Sequence, residues 1–254
     1  MKKNIFLLLL ITIVSISCKS KEKKAAPAQK KEAQLIITPI EHATAVLTYK
    51  DVTIFIDPTG NAAAFANFSA PNYVFITDIH GDHLNVKTLE SLDLSKTTIV
   101  APKAVTDKLP EGIAKEIIII NNGEEKTFGV LKAEAIPMYN LRKEALKFHT
   151  KGRGNGYVFT IDNQRIYFSG DTEDIPEMRA LKNIDKAFVC MNLPYTMTVE
   201  SAADAVLEFK PKEVFPYHYR GTGGLSDVAK FKSLVNLGNP NIKVVQLNWY
   251  PNQK

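Results

Sequence analysis

Tyr73-Val74-Phe75-Ile76-Thr77-Asp78-Ile79-His80-Gly81-Asp82-His83 is the stretch on which the reading of this chain turns. Its first four residues form a continuous apolar run, the pattern of a buried strand, and the run stops at a polar loop. Two imidazoles and two carboxylates are crowded into the six residues from Asp78 to His83. These groups are the ligands that borderline divalent metals accept, and catalytic sites keep a coordination position open for water or substrate. The small Gly81 suits a tight backbone path, by which one loop can address two neighbouring ions. Two ions about 3.5–4 Å apart hold both the attacking and the leaving oxygen of a displacement, so hydrolysis is the reaction such a loop serves. The plainer alternative is a polar turn whose aspartate caps a helix starting near Asp82 or His83.

The rest of the chain favours the metal. It has five histidines, and His149 and His218 join His80 and His83 at recognisable positions, with Asp171 between them. The landmarks run in order: His42-Ala43-Thr44 opening a strand, Ile56-Asp57-Pro58, the metal loop, Tyr139-Asn140, Phe148-His149, Gly156-Tyr157, Ser169-Gly170-Asp171-Thr172, Tyr195-Thr196-Met197 and Pro216-Tyr217-His218-Tyr219. From Ile40 to about Trp249 this order resembles the metallo-β-lactamase fold superfamily, whose loop is usually Thr-His-x-His-x-Asp-His. It is most similar to the branch of L-ascorbate-6-phosphate lactonase and N-acylphosphatidylethanolamine phospholipase D-like proteins.

The resemblance implies two divalent ions, zinc first, with Asp78, His80 and His149 on one, Asp82, His83 and His218 on the other, and Asp171 bridging. It implies a metal-bound hydroxide, oriented by Asp82, that attacks an ester, lactone or phosphodiester. Asp78 departs from the pattern, standing where the family usually has its first histidine. Three carboxylates then accompany four imidazoles, a harder set that shifts preference towards manganese or iron. It also leaves open a site in which only the second ion binds tightly. The competing reading is a non-catalytic envelope lipoprotein that keeps the fold for ligand binding.

Other residues carry weaker signals. His42 is either close to the metals and substrate or a satisfied structural group, and Asp57 reads as a loop-organising carboxylate. The segment Tyr139–Gly156 surrounds His149 with Asn140, Arg142, Lys143, Lys147, Lys151 and Arg153. Either it is a solvated basic loop, with Gly152, Gly154 and Gly156 permitting irregular backbone, or its cations receive an anionic substrate group. Tyr195 and Arg220 stand beside site motifs, Tyr195 as proton donor to a leaving group and Arg220 as an anion clamp.

The amino terminus has a different character. Lys2-Lys3, the apolar run Ile5–Ile16 and Ser17-Cys18 have the form of a bacterial lipoprotein signal, although Ser15 stands where such sites often carry Leu. The run is shorter than the ~20 apolar residues of a membrane span. Residues 1–18 are therefore expected to be a signal peptide and 19–34 a flexible Lys/Ala-rich tether, with 35–254 as the hydrolase domain. Lipidation of Cys18 would anchor the protein in the bacterial cell envelope. Cys190, the other cysteine, ends an apolar run and reads as packing.

The formal charge of +5 would suggest nucleic acid, but residues 1–35 hold +6 of it, which leaves −1 for residues 36–254. A near-neutral body excludes nucleic acid as the expected partner and leaves a small-molecule substrate. Early hairpins followed by alternating strands and helices suit an α/β (α+β) four-layer αββα sandwich of two mixed sheets with outer helices. Strands are expected at 131–136, 156–161 and 242–247, among others, and helices at 84–92, 104–108, 176–181, 199–209 and 227–237.

Overall fold

The computed structural model describes residues 33–251. The expected signal segment, its Cys18 and most of the tether lie outside the described residues. In the body, the first half of the chain builds one sheet and the second half builds the other. Strands β1 (Ile36–Glu41), β2 (Thr44–Tyr49) and β3 (Val52–Ile56) are antiparallel hairpins, extended in parallel by β4 (Tyr73–Phe75), β5 (Thr98–Ala101) and β6 (Glu116–Ile119).

The second sheet repeats this plan. Strands β7 (Glu125–Phe128), β8 (Leu131–Met138), β9 (Gly154–Ile161) and β10 (Gln164–Phe168) are antiparallel. Strands β11 (Lys186–Val189), β12 (Glu213–Pro216) and a final β15 (Lys243–Val244) continue in parallel. Between β12 and β15 lies a small hairpin of β13 (Arg220–Gly221) and β14 (Gly224–Leu225).

Side chains alternate across a strand, so the inner strands β2–β5 of the first sheet serve two cores. Ala45, Leu47, Ile54, Ile56, Phe75 and Val100 point between the sheets. Their neighbours Val46, Phe55, Val74, Ile76, Ile99 and Ala101 form a separate outer cluster with Leu89 of α1 (Val86–Ser91) and Val105 of α2 (Lys103–Thr106). Both faces are covered, which is why these strands read as unbroken apolar runs. Between the sheets, the Phe75 ring lies 4.7 Å from Phe159 and 5.2 Å from Tyr157.

On the second sheet, Phe168, Phe188 and Phe215 occupy one register and stack at 4.3 and 4.6 Å across three parallel strands. Helices α3 (Pro176–Arg179), α4 (Val199–Phe209) and α5 (Val228–Gly238) complete the layers. Ala202, Val206 and Phe209 of α4 are buried in the main core, and Thr198 caps the helix by accepting from Ser201 N at 3.0 Å. Burying a side chain such as Phe209 contributes about 1.5–3 kcal/mol.

Four expectations change. The first helix begins at Val86, capped by Asn85 through Thr88 N at 3.0 Å, and not near Asp82. Residues 80–84 form a turn in which His83 N and Leu84 N both donate to the His80 carbonyl. Gly81 has open space around it, so the turn does not depend on glycine there. Gly154 is not irregular backbone but, with Gly156 where a strand was expected to begin, lies within β9, where other chain segments come close. A Cβ on Gly154 would sit 2.9 Å from the Thr77 carbonyl oxygen, and one on Gly156 would sit 2.7 Å from that of Ser169. The last strand is short because, after Val245 N bonds the Val214 carbonyl, the chain leaves the sheet and carries Trp249 into the core.

Candidate metal centre

All the polar landmarks meet at strand ends. The loop from Thr77 follows β4, Asp57 follows β3, Asp171 follows β10 and His218 follows β12, while His149 lies on the long β8–β9 connection. In open α/β sheets the carboxyl ends of strands are where ligand-binding groups gather.

Two pools of donors result. Asp82, His83, Asp171 and His218 each offer a ligand atom within 4.8 Å of the others, and Asp78, His80 and His149 do the same. In the first pool, His218 Nε2 lies 3.0 Å from Asp171 Oδ1 and 3.2 Å from His83 Nε2. In the second, His80 Nδ1 lies 2.7 Å from Asp78 Oδ2. Asp171 reaches both: its Oδ2 is 3.2 Å from His149 Nε2 and 3.4 Å from His83 Nε2.

A buried layer aims these donors. Asp57 accepts from Thr77 N at 2.7 Å, from the Thr77 hydroxyl at 2.6 Å and from His83 Nδ1 at 2.8 Å. A hydrogen bond at one ring nitrogen fixes the tautomer and turns the other nitrogen to the metal position. His42 shares a hydrogen bond with the Tyr250 hydroxyl through Nδ1 at 2.7 Å and faces Asp82 Oδ2 with Nε2 at 3.3 Å. His42, Asp57 and His218 all have positive φ, at 56°, 43° and 46°. Such backbone costs of order 1–3 kcal/mol per residue and persists at sites where the surroundings impose it.

A cavity of about 290 Å³ opens onto both pools, lined by His80, Asp82, Phe148, His149, Asp171, Asn192 and Tyr195. The beta-lactamase superfamily domain profile matches residues 53–219, which span both donor pools and the whole cavity lining. The chain belongs to the metallo-β-lactamase superfamily.

Relatives that match this chain over most of their own length include metal-dependent hydrolases. A UPF0173 metal-dependent hydrolase of Pyrococcus abyssi is 30% identical over 193 residues, covering 72% of this chain and 84% of that protein. A counterpart from Pyrococcus horikoshii is 32% identical with the same coverage. A crystal structure from Parabacteroides distasonis, of the metal-dependent hydrolase class, superposes with a TM-score of 0.77 at 37% identity, covering 86% of this chain and 94% of the other. The metallo hydrolase Igni18 of Ignicoccus hospitalis shares the fold, with a TM-score of 0.71 at 22% identity over 84% of this chain and 94% of that one. This metallo-β-lactamase superfamily chain is therefore a metal-dependent hydrolase.

The residues present fit divalent ions. Both ring nitrogens of buried His149, together with Asp171 Oδ1, have no hydrogen-bond partner among the described residues. His149 Nε2 faces Asp171 Oδ2 at 3.2 Å without an aligned hydrogen bond, and a buried imidazole left so is costly; a divalent ion held by His149 and Asp171 would relieve it. Burial alone would raise the Asp171 carboxyl, but the charges of His218 and His83 outweigh it and hold it well below the usual range. Asp82 is lowered in the same way, with burial overcome by His83, His218 and His42. Burial lowers His83, yet the charges of Asp171, Asp57 and Asp82 prevail and raise it well above an ordinary imidazole. His42 is lowered, by burial first.

The structure sorts the weaker expectations. His42 and Asp57 both touch ligands, and Tyr195 lines the cavity with its hydroxyl 2.9 Å from Thr222 Oγ1. Asn140 is buried and lies outside the cavity lining. Its amide donates to the carbonyls of Ala145 and Tyr195 at 2.9 and 2.7 Å, closing the loop that carries His149. Arg153 is not an anion receptor in this structure, since it forks onto Asp78 at 3.0 and 2.9 Å. Arg220 lies outside the cavity lining, with its guanidinium 5.4 Å from the Tyr250 ring. Arg142 and Lys151 are bound to Glu173 and Glu177, each at 2.7 Å, so three cations of the basic loop are committed internally.

Four contributors were not read from the sequence. Glu173 is buried and clamps Leu141 N, Arg142 N and the Arg142 side chain. Asn192 and Phe148 form cavity wall, and Tyr250 holds His42. The available signal was adjacency: Glu173 follows Asp171-Thr172 and Phe148 precedes His149.

Proposed function

We propose that the enzyme hydrolyses a compact, uncharged ester or lactone in preference to a phosphodiester, and that it does so at the cell envelope. The observation that carries the substrate reading is the cavity wall. Its side chains are imidazoles, carboxylates, Phe148, Asn192 and Tyr195, and no Lys or Arg is among them. A volume of about 290 Å³ lies at the small end of ligand pockets. Beyond the ions themselves, an anionic group would find no Lys or Arg on the wall to pair with.

Divalent ions held by Asp82, His83, Asp171 and His218, with Asp78, His80 and His149 beside them, would acidify water and polarise the electrophilic oxygen. Asp82 is the accessible carboxylate, its side chain 41% exposed, and it is kept ionised by its imidazole neighbours. It accepts a hydrogen bond from the attacking water and orients it. His42 holds Asp82 in place from behind. Asn192 Oδ1 is occupied by the Thr196 hydroxyl at 2.5 Å, which leaves its amide nitrogen to donate to a substrate oxygen. Tyr195 donates its phenolic proton to the leaving oxygen, and Phe148, 5.0 Å from its ring, sets its orientation and limits water at the mouth.

The test is a panel of neutral lactones and aryl esters set against phosphodiesters, using metal-loaded protein and its chelated form. Turnover of the neutral acyl substrates, abolished by chelation and with kcat reduced about 10²-fold or more in Tyr195→Phe, is the expected result. Faster phosphodiester cleavage overturns the substrate reading. For the envelope assignment, Cys18→Ala should move the protein from membrane to soluble fractions; unchanged membrane association rejects lipidation there.

A further inference from the structure

The two pools of donors do not stand in the same condition. In the Asp82, His83, Asp171 and His218 pool, the ligand atoms touch mainly one another, and His83 is already aimed by Asp57. In the other pool both oxygens of Asp78 are occupied. Arg153 Nε donates to Oδ1 at 3.0 Å and Nη2 to Oδ2 at 2.9 Å, the fork geometry that makes arginine–carboxylate pairs strong. Arg153 Nη2 also donates to the Phe148 carbonyl at 2.5 Å, so the guanidinium is fastened from two sides. Asp78 is fully buried at its side chain and Arg153 is 16% exposed.

We propose that the centre is built unequally. The Asp82, His83, Asp171 and His218 pool is the resident divalent-ion site, and Arg153 stands as counter-cation to Asp78, so that a second ion enters beside His80 and His149 only by displacing the guanidinium. This rests on the metal-dependent reading of the site and specifies how its two halves share charge. The departure of Asp78 from a histidine is what makes the arrangement consistent: a neutral imidazole at that position would give a guanidinium nothing to pair with, whereas a buried carboxylate needs a cation at all times. Arg153, 75 positions along the chain, supplies that cation. Its grip on the Phe148 carbonyl adds a second effect, because release of the guanidinium frees the peptide next to His149 and the Phe148 wall of the cavity.

The experiment is titration of metal-free full-length protein in detergent with cobalt(II), followed by calorimetry and by the visible ligand-field bands of the bound ion. Two steps are expected, the second weaker by roughly 10- to 100-fold, the range seen when groups behind metal ligands are altered. Arg153→Gln should strengthen the second step and leave the first unchanged, and Asp78→Asn should abolish the second and retain the first. Arg153→Lys, which keeps the charge but lacks the fork, should fall between parent and Arg153→Gln. Two equal steps in the parent, or a second step that Arg153→Gln leaves unchanged or weakens, overturn the proposal. A parent that binds no cobalt overturns the metal-dependent reading itself, which separates the two failures.

Discussion

Asp57 holds Nδ1 of His83 at 2.8 Å, and the opposite edge of the same ring presents Nε2 to His218 Nε2 at 3.2 Å. One buried carboxylate at the end of β3 therefore decides which nitrogen of a ligand from the neighbouring strand's loop is free to coordinate. Asp57→Asn should weaken metal binding about 10- to 100-fold while the fold persists, as competition against a chromophoric chelator would measure. Unchanged affinity would remove Asp57 from the site's machinery.

The metal-free protein should lose stability in acid through Asp78. Burial pushes its carboxyl up, but the His80 hydrogen bond and the charges of His83, His80 and Arg153 prevail and hold it at about 2 against an ordinary 3.8. A depressed carboxyl stabilises the fold above its unfolded value and loses that contribution as pH falls through the folded one. The window is therefore from about pH 4 down to about 2, and the contribution is of order 2 kcal/mol. Arg153→Gln should move the acid midpoint to higher pH, read from the fluorescence of the single, buried Trp249. A midpoint that does not move would mean that Arg153 adds nothing to the ionised form.

Cys190 should be chemically silent. Burial first, and then the charge of Asp171, push its thiol up to about 12, and Sγ donates to the Thr172 carbonyl at 3.4 Å. At pH 8 only about one thiol in ten thousand is ionised, and the side chain has no exposure. In a Cys18→Ser background, a disulfide reagent should label one thiol after denaturation and essentially none before. Rapid labelling of folded protein would contradict the burial.

Two glycines should behave oppositely. Gly170 has φ +61°, and a Cβ there would meet Met138 Sδ at 2.5 Å, immediately before Asp171. Gly170→Ala should cost about 1–3 kcal/mol, lowering Tm by about 2–4 °C per kcal/mol, and should weaken metal binding with it. Gly81→Ala, which meets nothing within 4 Å, should leave Tm unchanged. Equal effects would show that the turn and not the Met138 contact governs the site.

Much of this centre was legible because its parts carry their chemistry locally. The metal loop pairs a strand-like apolar run with four donors in six residues, and α4 has the bounds expected of it, 199–209. What stayed hidden were partnerships across the chain. His42 and Tyr250 are 208 positions apart, and Arg142 meets Glu173 across 31. Nothing local marks Arg153 as the partner of Asp78 in preference to a substrate anion, because a cation near a metal site reads the same in either role. The β13–β14 hairpin, two residues a side, is too short to show alternation.

The division of the two sheets along the chain gives the centre a property of its own. Asp78, His80, Asp82 and His83 come from the half that forms β1–β6, and His149, Asp171 and His218 come from the half that forms β7–β15. Neither half owns a complete coordination set. An ion held between them acts as a rivet across the seam, so a nascent chain gains its chemistry only when its last third has docked. Uptake of the first ion then reports that the two halves have found each other.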